Sequence, residues 1–426
     1  MRARMFAAVG IAAALALSAC GGDDADSGDT GAVNENATIR LWLNGEDTPQ
    51  PMVDYAIAEF KKVHPNAKVT FERQQWTGLV EKLTTALSSS DSPDVVELGN
   101  TQAQTFEAAG ALRDLSDKKA DLGGDDLVQS LVEAGTYDGK FYGVPYYGGA
   151  RIVVYHKDLF AKSGLKVPTT TEEFVAAGVK LKQDNAATKS FSGIYFPGKY
   201  WYAALPFIWD NGGDIAVKDG DKWKGMLASD GSVAGLQTVK QIMDQASAAP
   251  KDADETQDFV AFCANQVGML MGPGWKVGQI LDPKTGCPAM KDKIGAFALP
   301  GKSAGTTAPA FLGGSNLAIS AKSKNPELAY DLLKIMAGDG YQKKLAELGL
   351  LPVKKSLLSN VAGSEDAQAQ AVAAANSRFV PSSEKWAGVE ASTVLPDMLV
   401  AIANGGDIKT EASKADAAIT STLNGD

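Results

Sequence analysis

Gly272-Pro273-Gly274-Trp275 sets an indole just after a tight turn, and it is the stretch best suited to hold a flat ligand. A second aromatic group, Tyr195-Phe196-Pro197-Gly198-Lys199-Tyr200-Trp201-Tyr202, runs on to Phe207-Ile208-Trp209-Asp210-Asn211. Such rings offer apolar plates, and polar side chains beside them can bond hydroxyls lying in the plane of a sugar ring. Unmatched hydroxyls then set discrimination. Tyr200 and Trp201 are favoured as plates over Trp209, and Asp210 and Asn211 can accept or bridge hydroxyls. Trp76 can cover the outer end of a cleft; Glu384 and Trp386 are weaker candidates. Each has a plainer alternative. Aromatics fill cores, Asp210-Asn211 turns the chain before Gly212-Gly213, and Glu384 and Trp386 can simply pack on a surface.

Carboxylates allow a second chemistry. Glycoside hydrolysis needs one acid and one base or nucleophile at a set separation. Glu46, Asp47 and Asp210 could supply them, so a carbohydrate-active enzyme stays open at this level. Other catalytic classes lack support: there is no nucleophile elbow, metalloprotease motif, convincing serine–histidine arrangement or phosphate-binding Gly-x-x-x-x-Gly-Lys-Ser/Thr run. Metal ligation is not expected, since the two histidines, His64 and His156, are not spaced to gather near the cysteines. No cofactor is expected. A net charge of −10 excludes a nucleic-acid partner and disfavours phosphorylated ligands.

The first residues are an address. Arg2 and Arg4 precede an apolar run, Phe6 to Leu17, and Leu17-Ser18-Ala19-Cys20 looks like a lipobox. Residues 1–19 are read as a signal peptide, and Cys20 as the lipidated first residue of the mature chain. Residues 20–36, acidic and glycine-rich, read as a flexible tether. The expected location is the outer face of the cytoplasmic membrane of a Gram-positive, actinobacterial cell. Cys263 and Cys287 remain as an even pair, open to a disulfide or to two buried thiols.

The elements that must position these residues begin with β-α-β-α-β. Strand-like Ile39–Leu43, Lys68–Phe71 and Asp94–Leu98 alternate with helical stripes over Met52–Val63 and Trp76–Leu87. This order implies an open α/β sheet, whose ligands sit beyond the carboxyl ends of strands. Asn44 and Asp47, with Glu46, follow the first strand; Asn100 and Gln102 follow the third. Asp47 could as well cap a helix. A chain of 426 residues exceeds one hydrophobic core, so two lobes are expected.

Residues 141–160 link them: Val144-Pro145-Tyr146-Tyr147, then Gly148-Gly149, then Arg151-Ile152-Val153-Val154-Tyr155-His156-Lys157-Asp158-Leu159-Phe160. This run resembles the first interlobe crossover of the extracellular solute-binding proteins of bacterial ABC importers, in the sugar-binding group related to maltose-binding proteins. The resemblance spans nearly the whole mature chain. It implies a periplasmic-binding-protein-like fold of type II, cluster D-like: two discontinuous α/β lobes joined by a three-segment hinge. The further crossovers fall near Ile294–Pro300 and Gly349–Val353. The lobes would be 37–150 with 299–350, and 151–298 with 351–426. The resemblance also puts the Trp275 indole under a sugar ring and turns the Tyr200–Trp209 region toward the cleft. It brings Gly313, Gly314, Ser315 and Asn316 in from the opposite lobe, and matches Asn44, Glu46 and Asp47 to a turn that reaches sugar hydroxyls. Tyr146, Tyr147 and Arg151 sit at the crossover, where Arg151 could bind a hydroxyl, clamp a carboxylate or brace the hinge. The function implied is capture of a neutral di- or oligosaccharide by a monomer and delivery to the importer's transmembrane permease subunits. A surface sensor or adhesin lipoprotein is the remaining alternative.

Overall fold

The computed structural model describes residues 34–426, apart from 46, 77, 257, 348–349 and 359–362. The signal peptide, Cys20 and most of the tether therefore lie outside the described residues. The chain is fixed to the body from Asn34: Ala37 N–H bonds the Asn34 carbonyl at 2.9 Å, and the Glu35 carboxylate meets His64 Nδ1 at 3.1 Å. Residues 34–36, which composition assigns to the tether, are thus held against the body, and His64 gives Glu35 a partner.

The expected alternation opens the fold: β1 (Thr38–Asn44), α1 (Gln50–Val63), β2 (Lys68–Gln74), α2 (Leu79–Ser88), β3 (Val95–Gly99) and α3 (Ala103–Ala108). The apolar stripes fall inward as their spacing predicts. Met52, Val53, Ala56 and Phe60 of α1 are buried, as are Leu79, Leu83 and Leu87 of α2. A short helix α4 (Gln129–Ala134) and a hairpin, β4 (Thr136–Tyr137) and β5 (Lys140–Phe141), lead into β6 (Gly143–His156). Every residue of β6 is buried, so it shows no alternation; both faces of its sheet are covered.

Beyond β6 come α5 (Lys157–Lys162), α6 (Thr171–Asp184), β7 (Ser192–Tyr195) and α7 (Trp201–Asp210). The Thr170 side chain accepts the Glu173 N–H at the start of α6, as its sequence suggests. A hairpin that sequence reading treated only as polar follows, β8 (Ala216–Asp219) and β9 (Lys222–Gly225), then α8 (Asp230–Gln241) and α9 (Asp258–Cys263). Next are β10 (Val267–Pro273), α10 (Lys276–Leu281), β11 (Ile294–Phe297), β12 (Ala310–Ile319), α11 (Pro326–Ala337) and α12 (Asp339–Glu347). The chain ends with α13 (Lys355–Leu358), α14 (Glu365–Ala375), β13 (Ser377–Arg378), α15 (Trp386–Ala391), α16 (Val394–Ala403) and α17 (Ile408–Asn424).

One sheet path orders the strands β2-β1-β3-β12-β6-β10-β7, with β11 also on β6 and β13 on β12. β1 is parallel to β2 and β3; β12 runs antiparallel to β3 and β6. β6 serves both lobes. Residues 143–150 pair with β12 on the β1–β3 side, while residues 151–156 pair with β10 and β11 on the other. A second link reaches Ala310 from β11. A third touches β6 directly, where Gly148 and Leu351 exchange N–H···O bonds of 2.9 Å each way. Two α/β lobes joined by several crossovers result. Cys263 and Cys287 form a disulfide spanning 24 residues of sequence, which ties the end of α9 to the loop after α10. Chain-entropy reasoning credits it with about 3–4 kcal/mol. Among the described residues no helix is long and apolar enough to cross a membrane.

Candidate functional site

The carboxyl ends of β1 and β3 meet β12 and β6 over a strip with little side-chain cover. Gly99 pairs with Ser315, Ser315 with Tyr147, and Gly313 with Gly149. By strand alternation these residues share one face. Two indoles lie on that strip. Trp76, 37% exposed, rests over Gly45 and Gly99 and donates its Nε1–H to Asp47 Oδ2 at 2.6 Å. Trp275 covers Gly149 and reaches Gly313; a Cβ on Gly149 would sit 2.0 Å from its Cζ3. No residue but glycine fits under that ring. Gly99 lies two strand spacings from Tyr147, and Gly149 is two residues further along β6, so the two glycines are roughly 12 Å apart. The floor is therefore glycine-rich backbone with an indole lying on each end, and the outward faces of the two indoles are set apart on the scale of a disaccharide.

A buried network lies one step back from the floor. Glu97 accepts from the Asn44 N–H at 2.7 Å and the Ser315 hydroxyl at 2.6 Å, and Tyr147 also bonds it. Asn44 Nδ2 in turn donates to the Glu97 carbonyl at 2.9 Å. Burial pushes the Glu97 carboxyl up to about 7, against the pull of these donors. Asn100 braces the same floor: its N–H bonds Gly314 O at 3.1 Å and its Nδ2 bonds Leu312 O at 3.0 Å. Gly314, at φ +145° and with Tyr147 O at 2.2 Å from an added Cβ, needs to be glycine. Asn44 Oδ1 and Gln102 Oε1 are buried acceptors with no protein donor, a pattern suited to ligand hydroxyls.

The other lobe supplies most of a wall, which Phe311 at the start of β12 completes. Tyr202 stacks on Trp201 at 3.6 Å and on Phe311 at 4.5 Å, and Phe311 on Phe379 at 6.2 Å. Arg151 lies over Tyr200 and Tyr202, 5.4 and 5.2 Å from their ring centres, and pairs with Glu255 at 2.8 Å. Of the three roles open to Arg151, the geometry is that of a carboxylate clamp. Beneath it Lys276 meets Asp258 at 2.8 Å, with both side chains buried, and also donates to the Glu255 carbonyl. Tyr200 donates to Asp258 at 3.4 Å and is itself buried. Lys276 directly follows Trp275, so this pair fixes the turn that carries the indole. Gly274 lies against the Gln370 side chain of α14, with no room for a Cβ.

Other expected residues are occupied elsewhere. Tyr146 is fully buried in the β1–β3 lobe, bonded to Thr48 and Tyr341. Asn316 donates to the carbonyls of Leu131 and Gly143. Trp209 is buried and bonds Asp214, Asp210 accepts the Lys302 N–H, and Asn211 donates to the Phe207 carbonyl. The Glu384 carbonyl accepts from Thr105, and Trp386, buried, bonds Glu390. Glu46 lies outside the described residues. Sequence reading did not single out Glu97, Glu255, Phe311, Glu390 or Tyr202. Tyr202 stood in the aromatic cluster, and Glu390 follows Trp386 by one helical turn; the others left no local signal.

The bacterial extracellular solute-binding protein family model matches residues 44–343. The diacetylchitobiose binding protein DasA of Streptomyces coelicolor is 37% identical over 397 residues, covering 92% of this chain and 91% of that protein. Among solved structures, the sugar-binding protein MalE from Xanthomonas citri superimposes with a TM-score of 0.79 at 22% identity, over 91% of this chain and 98% of that one. The GacH receptor of Streptomyces glaucescens gives 0.76 at 24% identity, over 91% and 99%. These two likenesses carry the fold.

Proposed function

Since the chain belongs to the bacterial extracellular solute-binding proteins, we propose that it captures a neutral saccharide between its lobes and delivers it to the permease subunits of an ABC importer. A member of this family binds its solute and does not transform it. The glycine floor between the Trp76 and Trp275 plates is the observation that carries the saccharide reading. The two indoles, resting on that backbone, fit the flat faces of a disaccharide or short oligosaccharide. Asp47, Asn44 Oδ1, Gln102 Oε1 and the Tyr202–Trp201 wall meet its edges. Lobes of 37–150 with 299–350 and 151–298 with 351–426 divide the chain around β6, and a lipid on Cys20 holds a monomer at the outer face of the cytoplasmic membrane.

The name borne by the Streptomyces coelicolor relative puts N,N′-diacetylchitobiose first on a panel that includes maltose, maltotriose and monosaccharides. Thermal shift followed by calorimetry tests the reading, because a bound solute stabilises the fold by mass action. A dissociation constant near the micromolar range, about −8 kcal/mol, is expected. Trp275→Ala should cost about 1–3 kcal/mol of that affinity. An unchanged constant with an intact fold rejects the assignment of Trp275.

A further inference from the structure

Glu390 joins the two lobes through three donors. On its own lobe Tyr202 O–H and Trp386 Nε1–H both reach Oε1, each at 3.0 Å. From the other lobe Thr101 O–H reaches Oε2 at 3.1 Å. Thr101 follows Gly99 and Asn100 at the end of β3, where Asn100 N–H is fixed to Gly314 O. Its hydroxyl is therefore carried by the floor. Tyr202 is carried by the wall, stacked between Trp201 and Phe311. The carboxylate thus bonds one group from each surface that faces the cleft.

Two more bonds cross the same seam, from Thr105 to the Glu384 carbonyl at 2.9 Å and from Gln104 to the Ser382 hydroxyl at 2.5 Å. They end on a backbone atom and a serine, neither of which holds a cleft aromatic. Only the bond to Glu390 ends on a group that also fixes the wall. A carboxylate accepts hydroxyl and indole donors together through charge-assisted bonds, whereas an amide at that place keeps one acceptor oxygen for Tyr202 and Trp386 and can only donate an uncharged N–H to the Thr101 hydroxyl.

Building on the saccharide reading above, we infer that Glu390 is a positioning residue that couples occupation of the Tyr202–Trp201 wall to closure, with Thr101 as the striker of this latch. A ligand packed on the wall holds Tyr202 and Glu390 in place to receive Thr101. Loss of the bond leaves the plates intact, so arrival is unaffected and escape is faster. The latch governs residence time, and the plates govern recognition.

The test uses the mature chain and its Thr101→Val, Thr101→Ser and Glu390→Gln variants. Stopped-flow fluorescence with N,N′-diacetylchitobiose reads the rates, and small-angle X-ray scattering without sugar reads the separation of the lobes. Thr101→Val is expected to dissociate about tenfold faster, the scale of one charge-assisted bond, with an association rate within about twofold of the wild type. Its radius of gyration should rise, and Thr101→Ser should restore both quantities. Glu390→Gln, which replaces the charge-assisted bond by an uncharged one, should fall between the wild type and Thr101→Val, and the double variant should be no worse than Thr101→Val. Unchanged dissociation together with unchanged scattering in Thr101→Val overturns the latch. Failure of the wild type to bind any sugar on the panel rejects the saccharide reading instead, and the scattering comparison still decides the latch.

Discussion

The two lobes solve the same problem in opposite ways: each buries carboxylates beside the cleft. Under the floor, Glu97 is surrounded by neutral donors, Asn44 N–H, Ser315 and Tyr147, and burial raises it to about 7. Under the wall, Asp258 and Glu255 are matched by cations, Lys276 and Arg151. A carboxyl held by neutral donors can take up a proton without losing its site. One held by a buried lysine cannot be removed without stranding the lysine. Glu97 of the floor is thus responsive to pH, as is Glu390 of the wall, which burial raises among neutral donors, whereas the Asp258–Lys276 pair is rigid but brittle.

Asp258→Ala is the harshest way to break this contrast. It leaves Lys276 buried and unpaired beside the Trp275 turn, and should cost about 3–5 kcal/mol in urea unfolding. Replacing both partners with apolar residues of similar volume should recover most of that loss. Failure to recover would mean the wall needs its charges for shape as well as neutrality.

Glu97 and Glu107 sharpen the other side. Glu107, buried on α3, meets no hydrogen-bond partner at either oxygen, and burial pushes it up to about 8. Both folded values lie above the ordinary 4.5, so the native state holds more protons than the unfolded chain between them. Stability must therefore fall as pH rises from about 4.5 toward 7 for Glu97 and toward 8 for Glu107. Each contributes a decline of about 3–5 kcal/mol across its window. Chemical denaturation from pH 5 to 9 should show the decline. Glu107→Gln should flatten the upper part without loss of any bond, and Glu97→Gln should flatten the lower part while disturbing the Ser315 contact. A flat wild-type profile would remove the contrast between the lobes.

His64 gives the smallest expected effect. Its ring nitrogens meet Glu35 at 3.1 Å and Asp331 at 2.9 Å, acceptors that both ask for an N–H. Burial alone would lower the imidazole, but bonds to Asp331 and Glu35 outweigh it and raise the value above 6.5. The stabilisation is complete below about pH 6.5 and is lost as pH rises through the raised value. Because both carboxylates are partly exposed, His64→Gln should cost about 1 kcal/mol at pH 6 and less at pH 8. Equal losses at both pH values would show that the ring is held neutral.

The frame of this protein was legible because short-range rules govern it. The stripes of α1 and α2, the β-α-β-α-β opening and the glycine-marked run into β6 all follow from spacing within a few residues. The disulfide followed from counting, though only geometry decided between bond and thiols. What stayed hidden was pairing across distance. Glu97 reads as one charge in an apolar strand, and only the register of β12 brings Ser315 to it. Lys276 and Asp258 lie 18 positions apart with a strand between them. The β8–β9 hairpin was missed for a related reason: its order comes from α17, whose Asp416, Thr420 and Asn424 bond backbone groups from Trp223 to Ala228. Local polarity concealed a segment stabilised from 200 residues away.

β6 belongs to both sheets and is hydrogen-bonded along its length, at Gly148 even to Leu351. Rotation of one half against the other has to be absorbed where that ribbon lacks side chains, at Gly148 and Gly149 beside Gly313 and Gly314. Of these, Gly149 lies beneath the Trp275 ring and Gly313 at its edge. The pivot and the support of the Trp275 indole are thus one piece of backbone, so any change of angle between the lobes also moves that ring.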